Sequence, residues 1–342
     1  MWNSLGQDDA IQMFSLAKTE NRLAHSYLFF GPDRVGKATL AEDFARLLFC
    51  EDEISPCGDC LPCKRVTSKT HTDINWIEVG GERDVGFSKS KSKSKSIGID
   101  RIRELRTAIN IKPFEGSQRL VVILGSEDMT LEASNALLKV LEEPPENVFF
   151  LLLTSNLSMI LPTIISRCQL VKIKKVSDEF IKRYMIEKYQ FEDSYALDIA
   201  RLASGKIGMA IFIADNPDYL ESRLEIFSRI HKLLNAGLEE RFDYSERLAM
   251  DFSRDPEKVH NELRMWEIWW RDFMLVQFHS SDKASSTSNV EDFLELANFV
   301  EIDDVINILK TIGRSIKLLQ SNVNPRLVFD QLVLQTPVIR KK

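Results

Sequence analysis

The sequence predicts an α/β core built on a largely parallel sheet, followed by helical domains that run to the C-terminus. Three observations carry this expectation. Short apolar runs alternate with helix-period segments through the first half, the pattern of linked β-α-β units. A glycine-bearing loop, Gly31 to Gly36, sits between the first apolar run and the helix after it. From about Ser177 onward the strand-like runs stop and helical periodicity takes over. At 342 residues the chain exceeds one typical domain. The composition shifts place an α/β domain at 1–175, a small helical domain at 176–213 and a larger helical domain at 214–342.

Taken in order, Tyr27-Leu28-Phe29-Phe30 reads as a short buried strand. The helix behind the loop has Leu40, Phe44, Leu47 and Leu48 on one face at three-to-four spacing. Ile74 to Val79 and Leu120 to Leu124 read as buried strands. Leu131 to Glu143 reads as a helix stopped by Pro144-Pro145. Val148 to Thr154 and Leu170 to Ile173 complete the strands. Ser88 to Ser96 alternates serine and lysine with no apolar residue and reads as a surface loop. In the second half, Asp255-Pro256 is a helix start, an acid at the N-cap with proline in the first turn. Val259, Leu263, Trp266, Trp270 and Phe273 form one apolar stripe there. Val305, Leu309, Ile312, Ile316 and Leu319 form another, and the polar run His279 to Asn289 reads as the loop between.

Composition narrows the function. Apolar residues make up 44% of the chain and charged residues 28%, ordinary for a soluble globular protein. A net charge of −6 argues against broad coating of nucleic acid, which needs concentrated Lys and Arg. No apolar run approaches the roughly 18 to 20 residues of a membrane helix. Met1-Trp2-Asn3-Ser4 lacks the basic-then-apolar pattern of a signal peptide, so the expected compartment is the cytoplasm. Disulfides are disfavoured there.

Four of the five cysteines nevertheless fall in one short stretch. Cys50, Cys57, Cys60 and Cys63 are spaced so that four thiolates can surround one Zn²⁺ tetrahedrally. Pro56, Gly58 and Pro62 supply turns around them. With every ligand from protein, no coordination position is left open, so the expected metal is structural. His71 is surplus to the count and reads as a surface or core residue.

Gly31-Pro32-Asp33-Arg34-Val35-Gly36-Lys37 stands where a phosphate loop belongs. Gly31 and Gly36 let backbone amides approach phosphate oxygens, and Lys37 can reach the outer phosphates. The next residue should offer a hydroxyl to Mg²⁺, but it is Ala38. Thr39 comes one residue late, about 100° round a helix. An acidic pair should end the apolar strand Leu120-Val121-Val122-Ile123, yet Leu124-Gly125 stands there, with Glu127 and Asp128 beyond. Both losses fall on the metal, so hydrolysis by this chain alone is not expected. Nucleotide binding without turnover stays open.

With these residues in hand, the chain resembles the sliding-clamp-loader branch of the AAA+ ATPases. The resemblance rests on His25-Ser26-Tyr27-Leu28-Phe29-Phe30-Gly31, the four cysteines, Asn135 through Pro145 and Ile165-Ser166-Arg167-Cys168. Asn324-Pro325-Arg326-Leu327 also looks like the entry to the branch's C-terminal helix. Within that branch, gamma/tau and delta-prime subunits share the zinc module, and the missing phosphate and acidic residues are similar to the delta-prime group. The resemblance implies an AAA+ core, a helical lid and a helical collar that joins five subunits in a ring. It implies gamma/tau and delta subunits as partners, with the sliding clamp and primed DNA reached through the complex. It further implies that Arg167 serves, in trans, ATP bound on the neighbouring subunit. A guanidinium suits that role because its charge is permanent and its donors fan out toward a γ-phosphate. Thr154-Ser155-Asn156 stands either at a γ-phosphate-sensing position or in a turn. Gly208 or Met209 occupies the place of a phosphate-sensing arginine in the lid.

Two other readings remain. An active gamma/tau-type ATPase would need Thr39 and Glu127 to replace the lost ligands. A zinc-dependent nucleic-acid binder would use Cys50 to Cys63 and the lysine–serine loop.

Overall fold

A computed structural model of the chain describes residues 1–52, 55–81, 96–280, 290–319, 321 and 323–339. The lysine–serine stretch from Ser88 as far as residue 95, and residues 281–289 of the polar run expected as a loop, lie outside them. Two compact units are present, Met1–Ser177 with Gly205–Met209, and Asp178–Ser204 with Ala210–Lys342.

The first unit is organised by five parallel strands, β1 (Ser26–Phe30), β2 (Ile74–Ile77), β3 (Arg119–Leu124), β4 (Val148–Thr154) and β5 (Gln169–Lys172). Their order in the sheet is β2-β3-β4-β1-β5. Both faces of the inner strands are covered, which is why they read as apolar runs rather than as alternating ones, whereas β5 at the edge exposes Gln169, Leu170 and Lys172. Tyr27 and Phe29 of β1, Leu120 and Val122 of β3, and Leu151 and Leu153 of β4 face one core, with Phe14, Leu40 and Phe44. Leu28, Val121, Ile123, Phe150 and Leu152 face the other, with Ile102, Leu105, Leu137 and Leu141. All five strand expectations fall on strands; at β2 the run ends at Ile77, and Val79 starts a 3₁₀ turn.

The helix Leu131–Glu142 begins on Thr130, whose hydroxyl accepts a hydrogen bond from Ala133 N at 3.2 Å. Asp73, at the entry to β2, is fully buried and accepts from the backbone N–H groups of Phe114, Glu115 and Gly116 at 2.7, 2.8 and 3.1 Å. Three donors offset the cost of burying the carboxylate, and Arg119 lies 3.8 Å away. This clamp fixes the turn that leads into β3.

The second unit is helical among the described residues. Helices Asp178–Tyr189 and Asp193–Ala203 pair as a hairpin around Ile181, Met185, Ile199 and Ala200. The larger core lies among helices Asp218–Asn235, Leu238–Arg254, Pro256–Gln277, Ile302–Leu319 and Pro325–Gln335. Asp255 accepts from Lys258 N, as its N-cap reading requires, and the whole stripe from Val259 to Phe273 is buried. In the second stripe Val305, Ile312 and Leu319 are buried, while Leu309 and Ile316 flank the core half-buried.

Arg241 ties two helix ends of this core together. Its guanidinium donates to Leu233 O and Ala236 O at the end of one helix, and to Val333 O, Thr336 O and Pro337 O at the end of another. All five N–H groups find carbonyls, and a cation suits the negative end of two helix dipoles. Burial pulls its pKa down.

Candidate functional site

The phosphate loop leaves β1 at Phe30 and enters the helix Lys37–Phe49. Gly31 is demanded by packing, because a Cβ there would collide with the backbone carbonyl of Ile173 beside β5. Arg34 and Gly36 take left-handed φ values of 59° and 100°, which bend the loop over the helix start. Lys37 turns back into the loop and donates to Gly31 O at 2.7 Å and Pro32 O at 2.8 Å. Its burial lowers its pKa, against the opposing pull of Asp33 and Glu127. Ala38 packs half-buried on the core, and Thr39 follows it on the helix. Gly208 meets the loop from the other side: its N–H donates to Arg34 O at 2.8 Å, and a Cβ would stand only 2.7 Å from that oxygen. Gly208 therefore meets the loop through backbone contact alone.

Beyond β3 the chain turns sharply. Gly125 adopts φ 67°, and Ser126–Asp128 form a 3₁₀ turn. Glu127 accepts from Ser155 N at 2.8 Å and from the Ser155 hydroxyl. Burial pushes its pKa up, but these hydrogen bonds outweigh burial and hold it below the usual carboxylate value. Asp128 moves the opposite way, raised by burial and by the negative charges of Glu127 and Asp33. Thr154 Oγ1 accepts from Asn156 N at 3.1 Å, and Asn156 Oδ1 accepts from Ser158 N at 3.2 Å. The polar triplet therefore serves the turn and holds Glu127.

Arg167 follows the short helix Pro162–Ile165 just ahead of β5. Its carbonyl accepts from Ser26 Oγ at 2.7 Å, which fixes its backbone to the start of β1. Nη2 donates to Glu142 Oε1 at 2.6 Å, and Nη1 donates to Thr163 O at 2.9 Å and to Ser166 Oγ at 3.4 Å. The side chain remains 34% exposed. Cys168 beside it is buried, which raises its thiol pKa to about 11, and it stands apart from the other four cysteines.

Those four converge. Cys50 caps the end of helix Lys37–Phe49, Cys60 opens helix Leu61–Thr67, and Cys63 lies buried within it. All four Sγ atoms lie within 4.8 Å of one another. Cys57–Cys63 and Cys60–Cys50 are each 4.0 Å apart. Zn–S bonds of about 2.3 Å at tetrahedral angles require about 3.8 Å between sulfurs, so the residues fit such an ion. A disulfide, at about 2.05 Å, is not formed. Backbone N–H groups of Cys57 and Cys60 point at Cys50 Sγ and Cys57 Sγ, both at 3.4 Å, as anionic sulfurs prefer. Donors from Cys60 and Asp59 draw the Cys57 thiol down to about 6. The cluster can hold a metal ion. His71 lies outside it, buried 4.3 Å from the Phe49 ring with Nδ1 accepting from Asp73 N, so it is a core residue.

A parallel sheet in this order, carrying a phosphate loop after its first strand and helices on both faces, defines a P-loop protein of the AAA+ class. Residues 6–177 match the family described as DNA polymerase III, delta subunit. The chain belongs to that family, in its delta-prime branch. It is similar to DNA polymerase III subunit delta' of Bacillus subtilis, 28% identical over 92% of this chain and 91% of that one. With subunit delta' of Pseudomonas aeruginosa it shares 35% identity over 42% of each. With subunit tau of Bacillus subtilis it shares 31% identity over 62% of this chain but only 36% of that one. Among solved structures, a gamma-subunit-related protein of Thermotoga maritima aligns at TM-score 0.42 and 17% identity, covering 94% of this chain and 97% of that one.

The sequence reading missed the partner of Arg167. Glu142 lies within the Glu-Glu-Pro-Pro run already singled out, yet 25 residues separate the pair and only the fold joins them. Asp33 was likewise passed over; an acid inside a phosphate-binding loop is a legible warning, because it opposes the anion the loop would hold.

Proposed function

We propose that this chain is the stator subunit of a bacterial DNA polymerase III clamp loader. It helps assemble the ring with gamma/tau and delta subunits in the cytoplasm and presents Arg167 to ATP on the neighbouring gamma or tau subunit. The assembled ring then places the sliding clamp on primed DNA. The chain does not turn over ATP itself. The observation that carries this reading is the end of β3, where Leu124 and Gly125 stand in place of metal-binding acids and the nearest acid, Glu127, is spent on Ser155. Ala38 in place of a hydroxyl residue, and the Gly208 backbone against the loop, support the same conclusion.

In this reading the core spans 1–175, the lid 176–213 and the collar 214–342. Cys50, Cys57, Cys60 and Cys63 hold a structural zinc, which supplies cross-linking of the loop between two helices rather than chemistry. Gly31, Gly36, Lys37 and Thr39 keep the shape of a nucleotide site, with Asp33 and Asp128 beside it disfavouring a triphosphate.

Reconstitution of gamma or tau and delta with and without this chain tests the proposal. Clamp loading on primed DNA is expected to fall at least about 10-fold when the chain is left out, since an incomplete ring leaves one ATP without its arginine. Equal loading without it would refute the role.

A further inference from the structure

We infer that Glu142 is the positioning residue for Arg167, holding the guanidinium in the orientation that serves the neighbouring nucleotide; this rests on the arginine reading proposed above. The first observation is geometric. Arg167 is fixed at three points: its carbonyl to Ser26, Nη1 to Thr163 O, and Nη2 to Glu142 at 2.6 Å. Of these, only the Glu142 contact engages the far end of the guanidinium with an opposite charge. An arginine has five N–H donors. Nη1 serves Thr163 O and Ser166 Oγ, and Nη2 gives one bond to Glu142, which leaves Nε–H and one Nη2–H without a partner among the described residues. Those two donors are what the side chain has to offer an outside oxygen.

The second observation is that Glu142 breaks a local rule. It is the last residue of helix Leu131–Glu142 and is followed by Glu143. Two acids at a helix C-terminus oppose the dipole, which favours cations there. Pro144 and Pro145 end the helix immediately afterwards, so the backbone position of Glu142 is set by the chain and not by the ion pair. A residue that costs its own helix stability and pairs at short range with the one arginine of a Ser-Arg-Cys triplet is placed for that arginine. Both side chains keep solvent access, 34% for Arg167 and 48% for Glu142. Exposed pairs of this kind contribute little to folding. Orientation is the remaining effect: a free arginine must give up rotamer freedom on meeting a phosphate, and the carboxylate removes that freedom in advance.

The test uses the complete loader assembled with this chain, measuring kcat and KM for DNA-stimulated ATP hydrolysis. Glu142→Ala is expected to lower kcat about 3- to 5-fold with KM for ATP unchanged and ring assembly intact by size exclusion. Glu142→Gln keeps the acceptor and is expected to restore kcat to within about 2-fold of the parent. Glu142→Asp retains the charge but retracts it by one methylene, so its kcat falls below that of Glu142→Gln; this variant also serves if Glu142→Ala assembles poorly. On an Arg167→Ala background Glu142→Ala should add nothing. An unchanged kcat for Glu142→Ala and Glu142→Asp, with Arg167→Ala impaired, would overturn the positioning role while leaving the arginine reading standing. A further loss on the Arg167→Ala background would overturn it too, by showing a structural effect. No effect of Arg167→Ala would overturn both.

Discussion

Replacing Cys60 by serine is expected to abolish the zinc binding proposed for the cysteine cluster and to lower the melting transition of the first unit by about 8 to 16 °C. The size follows from what the metal does. The four cysteines proposed to hold it come from the end of one helix, a turn and the start of the next, with Cys63 buried against the carbonyl of Arg46 at 4.0 Å. Metal binding by such a site is folding free energy. Loss of a structural metal belongs with the substitutions that cost more than about 4 kcal/mol. Each kcal/mol shifts the midpoint of a unit this size by about 2 to 4 °C. The damage spreads because helix Lys37–Phe49 also carries Leu40, Phe44 and Leu48 of the core under the sheet. Metal analysis together with a thermal melt checks this. An unchanged metal content would mean that the sulfurs at 4.0 Å do not form the ligand set.

Arg167→Ala should leave the ring intact and lower DNA-stimulated ATP hydrolysis by the assembled loader about 10-fold or more. Arginines supplied in trans are worth about 10³ to 10⁵ in GTPases, and a ring with several sites dilutes the effect. The fold survives because the Arg167 guanidinium bonds only to Glu142, Thr163 and Ser166 at the surface, and the bond from Ser26 to its carbonyl is kept by alanine. Arg167→Lys should fall nearly as far, since an ammonium lacks the planar fork. Hydrolysis and size-exclusion profiles measured side by side decide the matter, and hydrolysis equal to the parent would count against the arginine.

The inner strands were legible because they are buried on both faces, so that Tyr27 to Phe30 and Val148 to Leu153 are apolar throughout; at the sheet edge β5 leaves Gln169, Leu170 and Lys172 exposed. Their order in the sheet was not, since a parallel register of Ser26 on Phe150 joins segments more than a hundred residues apart. The clustering of the four cysteines could be read from spacing alone because three of the four lie within one turn and one helix start. The use of polar residues was harder to see. Thr154-Ser155-Asn156 fitted both a phosphate sensor and a turn, and the contact of Ser155 with Glu127 across 28 positions was visible only in the fold. Gly31 read as a phosphate-loop glycine, and its packing demand comes from Ile173, at the other end of the domain's sequence. Asp73 and Arg241 carried no periodic or motif signal at all, because each answers backbone groups that only the folded chain brings together.

Hydrolysis of magnesium ATP by the purified chain, with and without primed DNA, is the most direct measurement. No turnover above the uncatalysed background is expected, and Lys37→Ala should change nothing. Steady release of phosphate that disappears with Lys37→Ala would place a working metal site inside this polypeptide and contradict the assignment of its arginine to a neighbour's nucleotide.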